Sequence, residues 1–370
     1  MPKKRPILAI SARTFRSQLF GEQTSYLRGI LRLARKKGMR GYVFAPGDID
    51  WTRLQVKGWT PVGSRWRRSW FPLPDVVYER AWGLGPKKQQ LLNETLDQLA
   101  RRGIPHFNPD FGDKIDVYDL LASSGELAPH LPETLPLTPE NLAALGEKHP
   151  ELYIKPARGR QGKRIFKCRR LPGGWRMERA GQKSRVVGAS MSPEAVVAYV
   201  ETQGNGRYLA QQGLALLRLD RGSVDVRVIV QRDRRGEWGI SAVGVRAGKP
   251  GSLVSNLHAG GKALSLSALR KKARLRHSTT FLKRRIAQVA LLAAEVLTRS
   301  YPTLGELGID LGLDKEGHIW LLEVNRQPGR ALFARARLWR AWRRSRARVV
   351  EFARHLATSP HAGLPRPDRH

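Results

Sequence analysis

Along the first hundred residues the spacing of apolar positions changes period several times. The run Ile7-Leu8-Ala9-Ile10 is short and continuous, which predicts a strand covered on both faces. In the following SYLRGILRLARKKG the apolar residues recur three and four apart, so an amphipathic, basic helix is expected, stopped at Gly38. Tyr42 to Phe44 reads as a second strand, and the Trp- and Arg-rich section from Trp51 to Trp82 leads into a buried strand in PDVVYER. Helix LNETLDQLARRG and strand IPHFN continue the alternation, so residues 1–108 are expected to form a small Rossmann-like α/β domain. No GxGxxG follows the first strand, so no dinucleotide cofactor is indicated.

After a helix over 112–123, the Pro-rich connector HLPETLPLTPEN marks a boundary and the pattern turns to α+β. ELYIKP, GKRIFKC, GGWRMERA and KSRVVGA read as short strands, PEAVVAYVETQ as a helix and RYLAQQGL as another strand. SVDVRVIVQRD and EWGISAVGVRAG form a hairpin turning through Arg232 to Gly236, followed by helix FLKRRIAQVALLAAEVLTRS. The expected units are 1–108, then 109–330 with a division near 215, then a basic helix and tail over 331–370.

The last hairpin, GIDLGLDKEGHIWLLEVN, carries the candidate chemistry. Asp314-Lys-Glu-Gly317 supplies the turn between Ile309–Leu313 and His318–Asn325. Side chains alternate across a strand, so Glu323 and Asn325 share one face and Asp310 on the partner strand can join them, while Leu322 and Val324 face the core. Three hard oxygen ligands without nearby Cys or paired His suit Mg²⁺, which takes its remaining ligands from water and substrate phosphates.

Composition narrows the partners. The chain carries 67 Lys and Arg against 31 Asp and Glu, a net charge of +36, and so concentrates anions: nucleotides, acidic peptides, anionic cell-wall polymers or nucleic acid. Its 370 residues, 41% hydrophobic, are enough for two or three cores. Cys168 is alone, which excludes an intrachain disulfide framework and a Cys-based zinc site. The apolar runs at 7–10 and 289–296 are too short for a signal-peptide core or a membrane span, so a soluble, cytoplasmic protein without a transmembrane segment is expected.

In YIKPARGRQGKRIFKC a lysine leaves a strand and a short loop holds Gly159 and Gly162 before the next strand. Glycines allow backbone N–H groups to approach phosphate oxygens, and Lys155 adds a point charge. In chain order there follow QQGL at 211–214, Asp225 and Arg227 in DVRV, Arg246, SNLHAGG at 255–261, and the Asp…Glu-x-Asn set. This order resembles the ATP-grasp superfamily, and more closely its YheC/YheD-like branch, over most of residues 5–330; PDVVYER, FGDKIDVYDLLAS running into HLPET, YIKPARGRQGKRI, QQGL, DVRV and SNLHAGG carry the resemblance.

The resemblance implies two α+β lobes gripping ATP behind the Rossmann-like domain, and a ligase that activates a carboxylate as an acylphosphate, joins it to an amine and releases ADP and phosphate. Lys114 and Lys155 would contact the phosphates and base, and Gln211, Gln212 and Leu214 the adenine and ribose. Gln212 departs from the acidic ribose ligand of many members. Asp310, Glu323 and Asn325 match the metal triad, holding Mg²⁺ against the β- and γ-phosphates; Arg227 and Arg246 would add positive charge, with Asn256 a hydrogen-bonding neighbour. His258 reads as a loop hydrogen-bonder and not as a base. The branch's association with the endospore coat, together with the charge, points to an acidic peptide or a wall polymer as acceptor or partner. The alternative is a non-catalytic coat or scaffold protein that keeps the fold and binds polyanions.

Two basic-aromatic segments stand apart from that set. Trp51, Trp59, Trp66 and Trp70 among Arg65, Arg67 and Arg68 could suit nucleic acid, but core packing of a small domain is the reading adopted. In the C-terminal segment, Leu338, Trp342, Val349, Phe352 and Leu356 fall on one helical stripe, which predicts a docked helix with a solvated cationic side.

Overall fold

A computed structural model describes residues 5–157, 164–179, 185–204, 206–250 and 260–359. The first sheet is built from β1 (Ile7–Ser11), β2 (Arg40–Phe44), β3 (Ile49–Asp50), β4 (Gln55–Val62), β5 (Arg65–Pro72), β6 (Val76–Glu79) and β7 (His106–Phe107), with α1 (Thr24–Lys36) and α2 (Pro86–Arg101) between them. Its order is β3-β4-β2-β1-β6-β7, with β5 hydrogen-bonded to β4. The β2-β1-β6-β7 part is parallel, and β1 is buried at every position, as its unbroken apolar run requires. Leu27, Ile30, Leu31 and Ala34 of α1 pack on Leu8 and Ile10, whereas Leu92, Leu96 and Leu99 of α2 pack on Ile7 and Ala9. The helix α1 ends before Gly38, whose φ of 79° is the left-handed stop that the sequence called for. Trp59 and Trp66 pack edge-on to Phe20 and Arg68 lies over Trp59, as a packed meander would have it; Trp70 is exposed.

The second sheet has the order β12-β11-β10-β9-β13-β8. After α3 (Lys114–Ala122), its members are β8 (Thr134–Pro136), β9 (Glu151–Pro156), β10 (Phe166–Leu171), β11 (Gly174–Arg179), β12 (Arg185–Met191) and β13 (Tyr208–Gln212), backed by α4 (Pro139–Lys148) and α5 (Pro193–Thr202). The Pro-rich stretch read as a boundary is therefore partly built into the sheet: Leu135 and Pro136 of β8 pair with β13, and Thr138 caps α4 by accepting from Asn141. A three-residue strand and a helix behind prolines left too little periodicity to be seen.

The third sheet has the order β17-β16-β15-β18-β19, with β14 (Arg218–Leu219) paired to β15 (Gly222–Arg232). The others are β16 (Trp238–Ala247), β17 (Lys262–Leu264), β18 (Glu306–Leu313) and β19 (Ile319–Asn325), accompanied by α6 (Leu266–Lys272) and α7 (Thr279–Ser300). One face of this antiparallel sheet buries Val226, Val228, Ile309 and Leu311 against Ile286, Val289 and Ala293 of α7. The other face carries charge in its middle. At its far end it is covered by α8 (Ala331–Arg335) and the start of α9 (Trp339–Thr358) through Leu332, Phe333, Leu338 and Trp342.

The stripe expected on α9 is present, and it serves two sheets. Leu338 and Trp342 lie on the third, while Val349, Phe352 and Leu356 complete the core of the first beside Leu8, Ile10 and Phe107. Three buried carboxylate–arginine contacts reinforce the junction: Glu306 receives Arg80 and Arg330, and Glu79 receives Arg326. Among the described residues no helix is long and apolar enough to cross a membrane.

Candidate functional site

Ladder register places the charged face of the third sheet. Asp310 of β18 stands opposite both Arg227 of β15 and Glu323 of β19, Gly308 stands opposite Asn325, and Asp225 stands opposite Arg246. Residues directly opposite share a face, as do residues two apart, so Asp225, Arg227, Arg246, Asp310, Glu323 and Asn325 all project from one side. A β-bulge makes this possible. Asp310 pairs with Glu323 but the adjacent Leu311 pairs with Leu321, so Leu322 is the extra residue. Leu321 therefore takes the core place expected of Leu322, Val324 packs on the core as expected, and Leu322 lines the cleft instead. The bulge changes phase between the apolar half of β19 and its polar end.

The charges on this face are already engaged. Arg227 grips Asp310 with two parallel bonds, Nε to Oδ1 and an amino group to Oδ2 at 2.9 Å. Arg246 donates its Nε to Asp225 Oδ1 at 2.6 Å and reaches Asp310 Oδ1 at 2.9 Å, while Asn325 Nδ2 points to Asp310 Oδ2 at 3.4 Å. Burial would raise the Asp310 carboxyl, but the two guanidinium groups outweigh it and hold it below the usual carboxylate range. Asp225 is pushed up to about 6, chiefly by burial, because Arg246 offsets only part of that cost and Asp310 adds repulsion.

Across the cleft, α3 and the second sheet supply lysines. Asp113 caps α3 by accepting from Ile115 and Asp116, which fixes the first turn and its Lys114. The Lys114 ammonium lies 3.5 Å from Glu323 Oε1. Lys155 at the end of β9 donates to Gln211 Oε1 at 3.0 Å, and Gln211 Nε2 donates to Thr134 Oγ1 at 2.7 Å. Burial and then the neighbouring Lys114 lower Lys155 to about 8, against the pull of Glu323. These groups line a cavity of about 220 Å³ whose apolar walls include Leu121, Leu131, Leu209 and Leu321. A wider, open depression of about 740 Å³ beside Arg170 and Trp175 shares no lining residue with it and gathers no comparable set of charges.

Of the residues singled out from sequence, Lys114, Lys155, Gln211, Glu323 and Asn325 line this cavity, and Arg227, Arg246 and Asp310 share the sheet face of the last two. Gln212 does not line it; its side-chain oxygen accepts from the Glu133 backbone at 3.1 Å, and Leu214 follows the end of β13. Gly159, Gly162, Asn256 and His258 lie outside the described residues. Sequence reasoning noted Asp225 without giving it a role and passed over Thr134 and Arg326. The two-residue spacing of Asp225 and Arg227 was the available signal, since it puts both on one face.

The Glu323 carboxylate, the Asn325 amide and the shared Asp310 offer hard oxygens, a donor set that fits Mg²⁺. Among the described residues no three His, Cys, Asp or Glu side chains form a ready metal cage.

The sequence profile described as YheC/D like ATP-grasp matches residues 103–356, more than half of the chain. The chain belongs to the YheC/YheD-like ATP-grasp family. A relative in that family, the endospore coat-associated protein YheD of Bacillus subtilis (strain 168), is 28% identical over 356 residues, covering 94% of this chain and 78% of its own. Among solved structures, the ATP-grasp ligase PsnB complexed with a phosphomimetic variant of a minimal precursor, Mg and ADP aligns at a TM-score of 0.55 and 14% identity, over 94% of this chain and 99% of that one. D-alanyl-alanine synthetase A from Vibrio cholerae aligns at 0.57 and 14%, over 96% and 99%. At such identities the likeness is one of fold, and the fold is ATP-grasp.

Proposed function

We propose that this protein is an ATP- and Mg²⁺-dependent carboxylate–amine ligase that proceeds through an acylphosphate and releases ADP and phosphate. The observation that carries the proposal is the meeting of two opposed charge sets, Lys114 and Lys155 on one wall of the cleft and the Asp310, Glu323 and Asn325 face on the other. Lys155 and Gln211 bind the nucleotide, and Lys114 and Lys155 draw its phosphates inward. Glu323 and Asn325, with Asp310, would hold Mg²⁺, which would supply charge neutralisation on the transferring phosphoryl group. Arg227 and Arg246 enter this work already oriented by Asp310 and Asp225, so little reorganisation is needed as charge develops. Gly159, Gly162 and Asn256 are assigned to the same site on sequence alone.

Solved ligases of the same fold complexed with precursor, leader and core peptides support a peptide as one substrate. The names of the curated relatives support an association with the endospore coat. One observation favours the non-catalytic reading: both oxygens of Asp310 are occupied by arginines. Titration with a non-hydrolysable ATP analogue, with and without Mg²⁺, separates the two, because a scaffold has no need of Mg²⁺-dependent affinity. A screen of amino acids, acidic peptides and wall precursors for nucleotide release then tests the chemistry. ADP and phosphate are the expected products, and AMP as the main product would place the attack at another phosphorus.

A further inference from the structure

From Arg326 to Val350 the chain has nine arginines and no Asp or Glu, against about one acid for every two bases over the whole sequence. Four of the nine face inward and are engaged. Arg326 and Arg330 bind Glu79 and Glu306, Arg346 lies over Trp342, and Arg348 donates to the Gln231 carbonyl. Arg337, Arg340, Arg343 and Arg344 are exposed and have no carboxylate or hydrogen-bond partner among the described residues. Beside them Trp339 is 50% exposed and meets Trp342 edge-on.

Among the described residues no contact of these four side chains rewards this arrangement. The first turn of α9 contains no acidic residue, and Leu338 at its cap makes no side-chain bond, so cations crowd the end of the helix where the backbone dipole disfavours them. An exposed Trp ringed by unpaired Arg is the composition of a binding hot spot, since both residue types contribute most where a partner desolvates them.

The patch is also well placed. Leu332 and Phe333 of α8 pack over Ile229 and Ala242, the same-face pair next along the ladder from Arg227 and Gly244. Gly244 is small for that reason, because a β-carbon there would meet Leu332 and Phe333 at about 3.0–3.1 Å. The start of α9 thus continues the sheet face that carries Arg227 and Arg246.

We propose that Trp339 with Arg337, Arg340, Arg343 and Arg344 is the docking surface for an acidic peptide segment of the substrate, which it holds beside the catalytic face. This rests on the ligase reading above. Charge complementarity names the partner's sign, and the exposed Trp339 suits a peptide with an apolar side chain among its acids.

The test compares two full-length variants of equal charge change. Arg340→Glu/Arg343→Glu/Arg344→Glu alters the patch. Lys87→Glu/Lys88→Glu/Arg101→Glu alters exposed cations on α2, which packs on the opposite side of the first sheet from α9. Binding of a fluorescein-labelled oligoglutamate peptide is measured across a salt series, alongside binding of an ATP analogue with Mg²⁺. The patch variant is expected to lose about tenfold or more in peptide affinity and much of the salt dependence, with nucleotide affinity unchanged and thermal stability equal or higher, since Glu near a helix N-terminus is favourable. The α2 variant is expected to stay within about twofold of wild type. Trp339→Ala is expected to weaken peptide binding without altering its salt dependence. Equal losses in both charge variants, or tighter binding of a single-stranded oligonucleotide or anionic vesicles than of the peptide, would overturn the proposal. Peptide binding without any nucleotide binding in wild type would instead overturn the ligase reading and leave the docking surface standing.

Discussion

On the third sheet, Arg227 and Arg246 meet Asp310 and Asp225 in a closed set of bonds, so each buried charge has a partner of opposite sign. Across the cleft, Lys155 donates to the neutral Gln211 and is repelled by Lys114, against the pull of Glu323. The difference assigns each wall a task. A neutralised wall is rigid and can orient donors before anything binds; a wall with excess positive charge favours an anion, which on the proposed reading would be a nucleotide phosphate.

The sharpest way to break this comparison is to remove one arginine from the closed set. Arg227→Ala leaves Asp310 with Arg246 alone, and thermal unfolding is expected to show a loss of about 3 kcal/mol, typical of a broken buried pair. Lys155→Met, on the open wall, is expected to leave stability unchanged or raise it. Comparable destabilisation by the two substitutions would erase the distinction.

Next in size is the effect of the metal-side ligands on turnover. Glu323→Gln or Asn325→Ala is expected to lower Mg²⁺-dependent ADP formation about a hundredfold, the scale of losing an electrostatic contact to a transition state, while stability shifts by less than about 1 kcal/mol. ADP formation unchanged in both variants would remove these residues from the site.

A smaller effect comes from pH. Lys155 titrates near 8 in the free protein, below its unfolded value, so the cost of burying its charge is present in full below about pH 8 and is relieved as pH rises toward the ordinary lysine range. Nucleotide affinity should move the opposite way, falling by up to about tenfold per unit above pH 8 as the ammonium is lost. Lys155→Met should bind weakly and flatten that profile; an unchanged slope would mean that another group titrates.

The smallest expected effect is that of Gly244→Ala, whose added methyl presses on Leu332 and Phe333. A loss of about 1–2 kcal/mol with ADP formation retained would mark the closed wall as held at its far end by α8.

How far these walls could be read beforehand differs between them. The β18–β19 hairpin was visible because its turn residues and alternation are local, and the two-residue step from Glu323 to Asn325 needs only strand geometry. The bulge at Leu322 was not visible, because either phase of Leu321 and Leu322 satisfies an apolar pattern, and the choice depends on how β18 pairs. β8 was read as a connector, since a three-residue edge strand has no period to detect. The stripe on α9 was plain, but its division between two sheets was not; Phe352 packs on Phe107, more than two hundred residues away in the chain.

What the sequence determined by itself is what local spacing controls: the longer strands and helices, most of their apolar faces, the order of basic, glycine-rich and acidic motifs, and through that order the family resemblance. Only the tertiary structure decided which charges meet. Asp225, Arg227, Arg246 and Asp310 come from three strands, and their pairing follows from the register of β15 with β16 and β18. A side chain's sign is written in the chain, but its partner, and with it the balance between desolvation and attraction, depends on distances of a few ångströms that exist only after the sheets have closed.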